Sequence, residues 1–81
     1  MSACDHLQRR IAALFAEHLQ IEVPSPETDL IGEGILDSLK FVELLVQLEQ
    51  TFGIRISLDE LELDQFRSVR RIAEFVGQQA Q

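Results

Sequence analysis

The sequence predicts an all-α domain: a small four-helix bundle of three longer helices and one short one, with a long loop between the first two. Three observations lead there. Apolar residues recur at helical spacing in three separate stretches, and strand-like alternation is nowhere long enough to count. Short polar residues suited to capping stand just before the later stretches, and Gly53 closes the middle one. Between the first two stretches, Pro24-Ser25-Pro26 excludes a continuing helix. The chain's 81 residues make a single domain, 1–81, and 46% hydrophobic residues suffice for one compact core.

The first helix is placed at residues 5–19. Leu7, Ile11, Leu14, Phe15 and Leu19 share one face, while Arg9, Arg10, Ala13 and Glu17 turn elsewhere. Cys4 has no second cysteine and no activating base, so it reads as an unspecialised surface thiol. His6 and His18 share no arrangement with metal-ligand spacing and read as ordinary helix residues. From residue 20 to residue 36 the periodicity dissolves. Ile21, Val23, Leu30, Ile31, Ile35 and Leu36 are nevertheless too apolar for a solvated linker, so this loop is expected to be pinned to the core.

The second helix follows Asp37 and Ser38, short polar residues at a helix start, and runs about 14 residues to Gly53. At ~100° per residue, Phe41, Leu44, Leu45, Leu48 and Phe52 form the core stripe. Leu39, Glu43, Val46 and Gln50 fall opposite, with Val42 on the flank. Leu39, Glu43 and Val46 are thus expected to be substantially exposed beside Ser38, as a docking surface for partners, unless the loop or a later element covers them.

After Gly53, Ile54-Arg55-Ile56 is a short extended connector. Ser57-Leu58-Asp59-Glu60 reads as a capping box that starts a short helix ending near residue 61 or 63. Phe66 anchors the next link. Ser68 caps a final helix, residues 69–78, with Val69, Ile72, Ala73 and Val76 inward, Phe75 widening that face, and Arg70 and Arg71 solvated.

The net charge of −7 is unevenly spread. Residues 27–64 hold ten acids against Lys40 and Arg55, a net of −8, and the remainder carries +1. That sign excludes a nucleic-acid binder. It steers the chain toward proteins with basic patches, or simply maintains solubility. No apolar run approaches the ~20 residues of a membrane span, and the N-terminus lacks a secretory stretch. A single cysteine excludes an internal disulfide. The expected compartment is the cytoplasm and the expected state a monomer.

Ser38 at a helix N-terminus, approached past Gly32 and Gly34, is an accessible hydroxyl where free N–H groups and the helix dipole favour a phosphate. The bland alternative is that Ser38 is only a cap. Asp37-Ser38-Leu39, followed by Val42-Glu43-Leu44, Leu48-Glu49 and Phe52-Gly53-Ile54, resembles the acyl and peptidyl carrier proteins, and the likeness extends from about residue 7 to residue 76. The resemblance implies the same bundle with its long loop. It implies a 4'-phosphopantetheine arm, derived from coenzyme A, on Ser38, with acyl or aminoacyl groups carried as thioesters on the arm's thiol. Asp37 would help a phosphopantetheinyl transferase hold its metal ion and the cofactor.

Lys40 departs from the fatty-acid carriers, which usually have an acid just after the motif leucine. The Gly34-Ile35-Leu36-Asp37-Ser38 lead-in and Leu63-Asp64-Gln65-Phe66 are more similar to stand-alone peptidyl, aminoacyl and D-alanyl carriers. The partners so implied are the transferase, an acyl- or aminoacyl-loading ligase or synthetase, and downstream transferases, with secondary metabolism and fatty-acid biosynthesis both open as pathways. The docking residues would be Leu39, Val42, Glu43 and Val46. An enzyme is disfavoured: Ser38 lacks the Gly-x-Ser-x-Gly elbow, and capping explains Asp59 and Glu60. A helical interaction module with an unmodified Ser38 is the alternative.

Overall fold

A computed structural model describes residues 3–57, 59 and 61–79, with side chains from residue 5 onward. Three helices account for most of it: α1 (Ala3–His18), α2 (Ser38–Phe52) and α3 (Val69–Gln79). A single 3₁₀ turn, Leu63–Phe66, precedes α3, and there is no strand among the described residues.

The core forms where the apolar stripes meet. Ile11, Leu14 and Phe15 of α1, with Leu19 just beyond it, are buried. They join Leu44, Leu45 and Leu48 of α2 and Val69, Ile72, Ala73, Phe75 and Val76 of α3 in one cluster. Each such large side chain contributes about 1.5–3 kcal/mol by leaving water. α1 packs chiefly on α3 and only lightly on α2. Phe66 of the 3₁₀ turn bridges the gap. Its ring meets Phe41 edge-on at 5.4 Å and 88°, and Phe75 at 5.1 Å.

The helix ends follow the local chemistry. Asp37 caps α2 from an extended backbone, and Gly53 ends it in the left-handed region at φ 66°, its N–H returning to the Glu49 carbonyl at 2.9 Å. The Ser68 hydroxyl accepts the Arg71 N–H at 3.2 Å and starts α3. Past α1, Gln20 takes the left-handed position at φ 56° without being glycine.

Three expectations are corrected. The short helix expected from residue 58 is not formed: Asp59 lies in a turn, Leu61 and Glu62 are not helical, and only the 3₁₀ turn follows. Among the described residues the bundle is therefore three helices and a turn. Leu58 and Glu60 of the expected capping box lie outside the described residues. The segment is held by other means. Glu49 Oε2 accepts the Ile56 N–H at 2.9 Å, Gln65 Oε1 accepts the Glu62 N–H at 3.4 Å, and fully buried Phe66 needs only one tight turn to reach the core. Phe41 and Phe52 are half-buried, being the first and last members of the α2 stripe along the helix. The Arg10 guanidinium covers the Phe52 ring at 4.7 Å from its centroid. The third correction concerns Glu43 and belongs with the site. The Cys4 side chain lies outside those described, and His6 and His18 are exposed.

Candidate functional site: the start of the second helix

The approach to Ser38 is a closed turn. Fully buried Leu30 anchors it, and the Leu30 carbonyl accepts both the Ile35 and the Leu36 N–H at 2.9 Å. Within the turn, Glu33 N–H donates to the Asp29 carbonyl at 2.9 Å and Gly34 N–H to the Ile31 carbonyl at 3.1 Å. Gly34 stands at φ 72°, where a side chain is strained. At Gly32 an added Cβ would press on the Asp29 carboxylate and make it shift.

Asp29 ties the turn together and Arg67 ties the turn to the bundle. Asp29 Oδ1 accepts the Gly32 N–H at 2.8 Å, and Asp29 Oδ2 accepts from Arg67 Nη1 at 3.3 Å. The Gly32 N–H is the main reason the Asp29 carboxyl is held below its ordinary value. Lost hydration opposes it, and the Arg67 charge adds to it. Arg67 Nε also donates to Asp64 Oδ1 at 3.0 Å, while the Arg67 carbonyl accepts the Leu30 N–H at 2.7 Å. Upstream, Arg70 N–H donates to the Pro26 carbonyl at 3.0 Å, and its guanidinium to Glu27 at 3.4 Å.

Asp37 Oδ1 accepts the Lys40 N–H at 2.8 Å. Asp37 is thus the cap and Ser38 the first helical residue, exposed, at the positive end of α2. Lys40 is half-buried, and its Nζ donates to the Leu19 carbonyl at 3.4 Å just beyond α1.

Three apolar side chains of the serine-bearing helix stand in solvent: Leu39 is 68% exposed, Val42 55% and Val46 42%. Val42 is more than a flank residue. Glu43, expected on the exposed face, is half-buried. A shallow crevice lined by His18, Leu19, Val42, Glu43, Val46 and Gln47 explains this, since the end of α1 stands beside Glu43. Sequence reasoning missed the Asp29–Arg67 clamp and the Lys40 tie to α1. Both join positions far apart in the chain, and no local pattern announces them.

An exposed primary hydroxyl at a helix N-terminus fits an arm attached through phosphate, and a Cβ added at nearby Gly34 would meet nothing within 4 Å. A family model for the phosphopantetheine attachment site matches residues 9–76. The chain belongs to that family. Membership means a covalently attached 4'-phosphopantetheine. The chain is also similar to D-alanyl carrier proteins of Streptococcus pyogenes serotype M5 (strain Manfredo), serotype M49 (strain NZ131) and serotype M1. Each is 42% identical over 50 residues, which is 62% of this chain and 63% of the relative. The match thus spans less than two thirds of those relatives' length. Their names agree with the likeness of the Gly34-to-Ser38 lead-in to aminoacyl and D-alanyl carriers.

Among the described residues, no three His, Cys, Asp or Glu side chains gather as a metal site, and no helix is long and apolar enough to cross a membrane.

Proposed function

We propose that this chain is a non-catalytic carrier whose arm is attached at Ser38, and that it delivers acyl or aminoacyl groups to partner enzymes in the cytoplasm as a monomer. The observation that carries this reading is the exposed Ser38 hydroxyl at the first position of α2, inside the span that matches the attachment-site family. The partners are a phosphopantetheinyl transferase, a loading ligase or synthetase, and downstream transferases. The D-alanyl carrier relatives make an aminoacyl cargo the first to test, with D-alanine at its head.

Asp37 has two roles in this proposal. Its side chain caps the helix, and its charge, exposed beside Ser38, assists the transferase. Leu39, Val42, Glu43 and Val46 form the docking surface. Its support is the exposure of three of them on one side of the serine-bearing helix, together with the acidic balance of residues 27–64. A carrier must be released after every transfer, so a small patch steered by charge suits it better than a large apolar interface.

The test is intact mass after incubation with a phosphopantetheinyl transferase and coenzyme A. One phosphopantetheine should be gained by the parent and none by Ser38→Ala, with the helical circular-dichroism signal unchanged. A parent that gains nothing would favour the interaction module with an unmodified serine. A Ser38→Ala protein that still gains the arm would place the attachment elsewhere.

A further inference from the structure

Between the apolar anchors Leu30 and Leu36, the Gly32-Glu33-Gly34 stretch carries no apolar side chain of its own, and its two glycines leave the backbone free to reorganise. Four main-chain hydrogen bonds close the turn on itself, and two further bonds tie it to one distant residue, Arg67. The Arg67 carbonyl accepts the Leu30 N–H at 2.7 Å. Its guanidinium holds Asp29 Oδ2 at 3.3 Å, and Asp29 Oδ1 in turn accepts the Gly32 N–H at 2.8 Å. Asp64 braces the same guanidinium from the other side at 3.0 Å. The arginine therefore sits between two carboxylates, and only one of them belongs to the turn.

We propose that Arg67 is a positioning residue for attachment of the arm, holding Asp29 so that the turn leading to Ser38 keeps the single geometry in which the transferase meets it. This rests on the reading of Ser38 as the attachment site. Attachment forms a bond from Ser38 Oγ to phosphorus and breaks the pyrophosphate bond of coenzyme A. The hydroxyl proton passes to a base of the transferase, and adenosine bisphosphate leaves. Arg67 takes no part in those bonds. Its contribution is to populate the competent turn before the partner arrives. Where only a fraction of molecules is competent, apparent affinity falls by that fraction while the chemistry of the bound complex is unchanged.

Substitution of the side chain leaves the Arg67 carbonyl and its bond to Leu30 in place, so the clamp can be removed without cutting the main-chain attachment. The experiment measures transferase kinetics, with the apo protein as varied substrate, for the parent, Arg67→Ala, Arg67→Lys, Asp29→Asn and Asp64→Ala. Amide hydrogen exchange is measured on the same proteins. Arg67→Ala should raise KM roughly threefold or more with kcat within about twofold. It should speed exchange at Gly32, Gly34, Ile35 and Leu36 about tenfold while leaving α1 and α3 protected. Asp29→Asn should reproduce the KM effect, and a double variant combining Arg67→Ala with Asp29→Asn, measured in the same way, should add little to either single change, because both break one interaction. Arg67→Lys should recover part of the KM, and Asp64→Ala, which leaves the turn's own bonds intact, should change it least.

Three results overturn the proposal: an unchanged KM, unchanged exchange in the turn, or exchange accelerated equally in α1 and α3, which would make Arg67 a general stabiliser. The dependence on the attachment reading is separable. If Ser38→Ala still gains the arm, that reading fails, and the kinetic claim for Arg67 falls with it. The exchange data would still decide whether Arg67 orders the turn.

Discussion

Asp37 Oδ1 accepts the Lys40 N–H at 2.8 Å, so the residue just before Ser38 is the one that starts the helix. Asparagine at this position retains an accepting oxygen, whereas alanine does not. Asp37→Ala should lower unfolding free energy by about 1 kcal/mol, and Asp37→Asn by much less. Both should be modified more slowly if the Asp37 charge assists the transferase as proposed, because both lose it. Denaturant unfolding and the rate of arm attachment separate the two roles. Equal attachment rates for Asp37→Asn and the parent would contradict the electrostatic one.

The two faces of α2 should respond to mutation differently. Glu43→Lys is expected to slow loading by the partner enzyme at low salt and to recover as salt screens the attraction. Val46→Asp should impair loading at every salt concentration, since contact area is what it removes. Neither should unfold the domain. Phe41→Asp should unfold it, because Phe41 packs edge-on against fully buried Phe66 and a carboxylate there has no compensating partner. Circular dichroism of each variant beside its loading rate checks the assignment. Unfolding by Val46→Asp, with Phe41→Asp merely blocking loading, would reverse the faces.

Gln20 occupies the left-handed position after α1 at φ 56°. Glycine fits that position without the Cβ conflict, so Gln20→Gly should stabilise the protein by about 0.5–1 kcal/mol even though it loosens the unfolded chain. Gly53→Ala, at φ 66°, should destabilise by a similar amount or more. Thermal unfolding of the two variants should move in opposite directions.

Asp29 makes stability sensitive to acid. Its carboxyl is held below the ordinary value of 3.8, first by the Gly32 N–H. A depressed carboxyl stabilises the fold fully above its unfolded-state value. That contribution disappears as pH falls through the lower, folded-state value. The window therefore lies below about pH 4. In Asp29→Asn the unfolding free energy should be lower at neutral pH and should fall less steeply in that window. Parallel pH profiles for variant and parent would contradict the assignment.

Most of the fold was legible because its signals are local. The period of Leu7, Ile11, Leu14 and Phe15 shows the buried face of α1, and Asp37, Gly53 and Ser68 mark ends that the structure uses. The short helix was misread because a plausible cap at Ser57 says nothing of what the core demands nine residues later, where Phe66 needs one 3₁₀ turn. The exposed row of Leu39 and Val46 followed from angular position alone. Glu43 did not, since its partial burial comes from the end of α1, which no reading of α2 contains. Arg67 and Lys40 were hidden for the same reason. Arg67 looks like a link residue and Lys40 like a surface charge until Asp29 and Leu19 are brought beside them.

The preference of α1 for α3 over α2 has a consequence for how the protein is made. The two stripes that close the core, Ile11 and Phe15 at one end and Ile72 and Val76 at the other, are separated by most of the polypeptide. Closing so long a loop carries an entropic cost that no local contact repays in advance. As the chain leaves the ribosome at about 5–20 residues per second, α1 and α2 emerge with their apolar faces unpartnered. A nascent chain halted before Val69 would already contain Ser38, and would have no folded domain on which to present it.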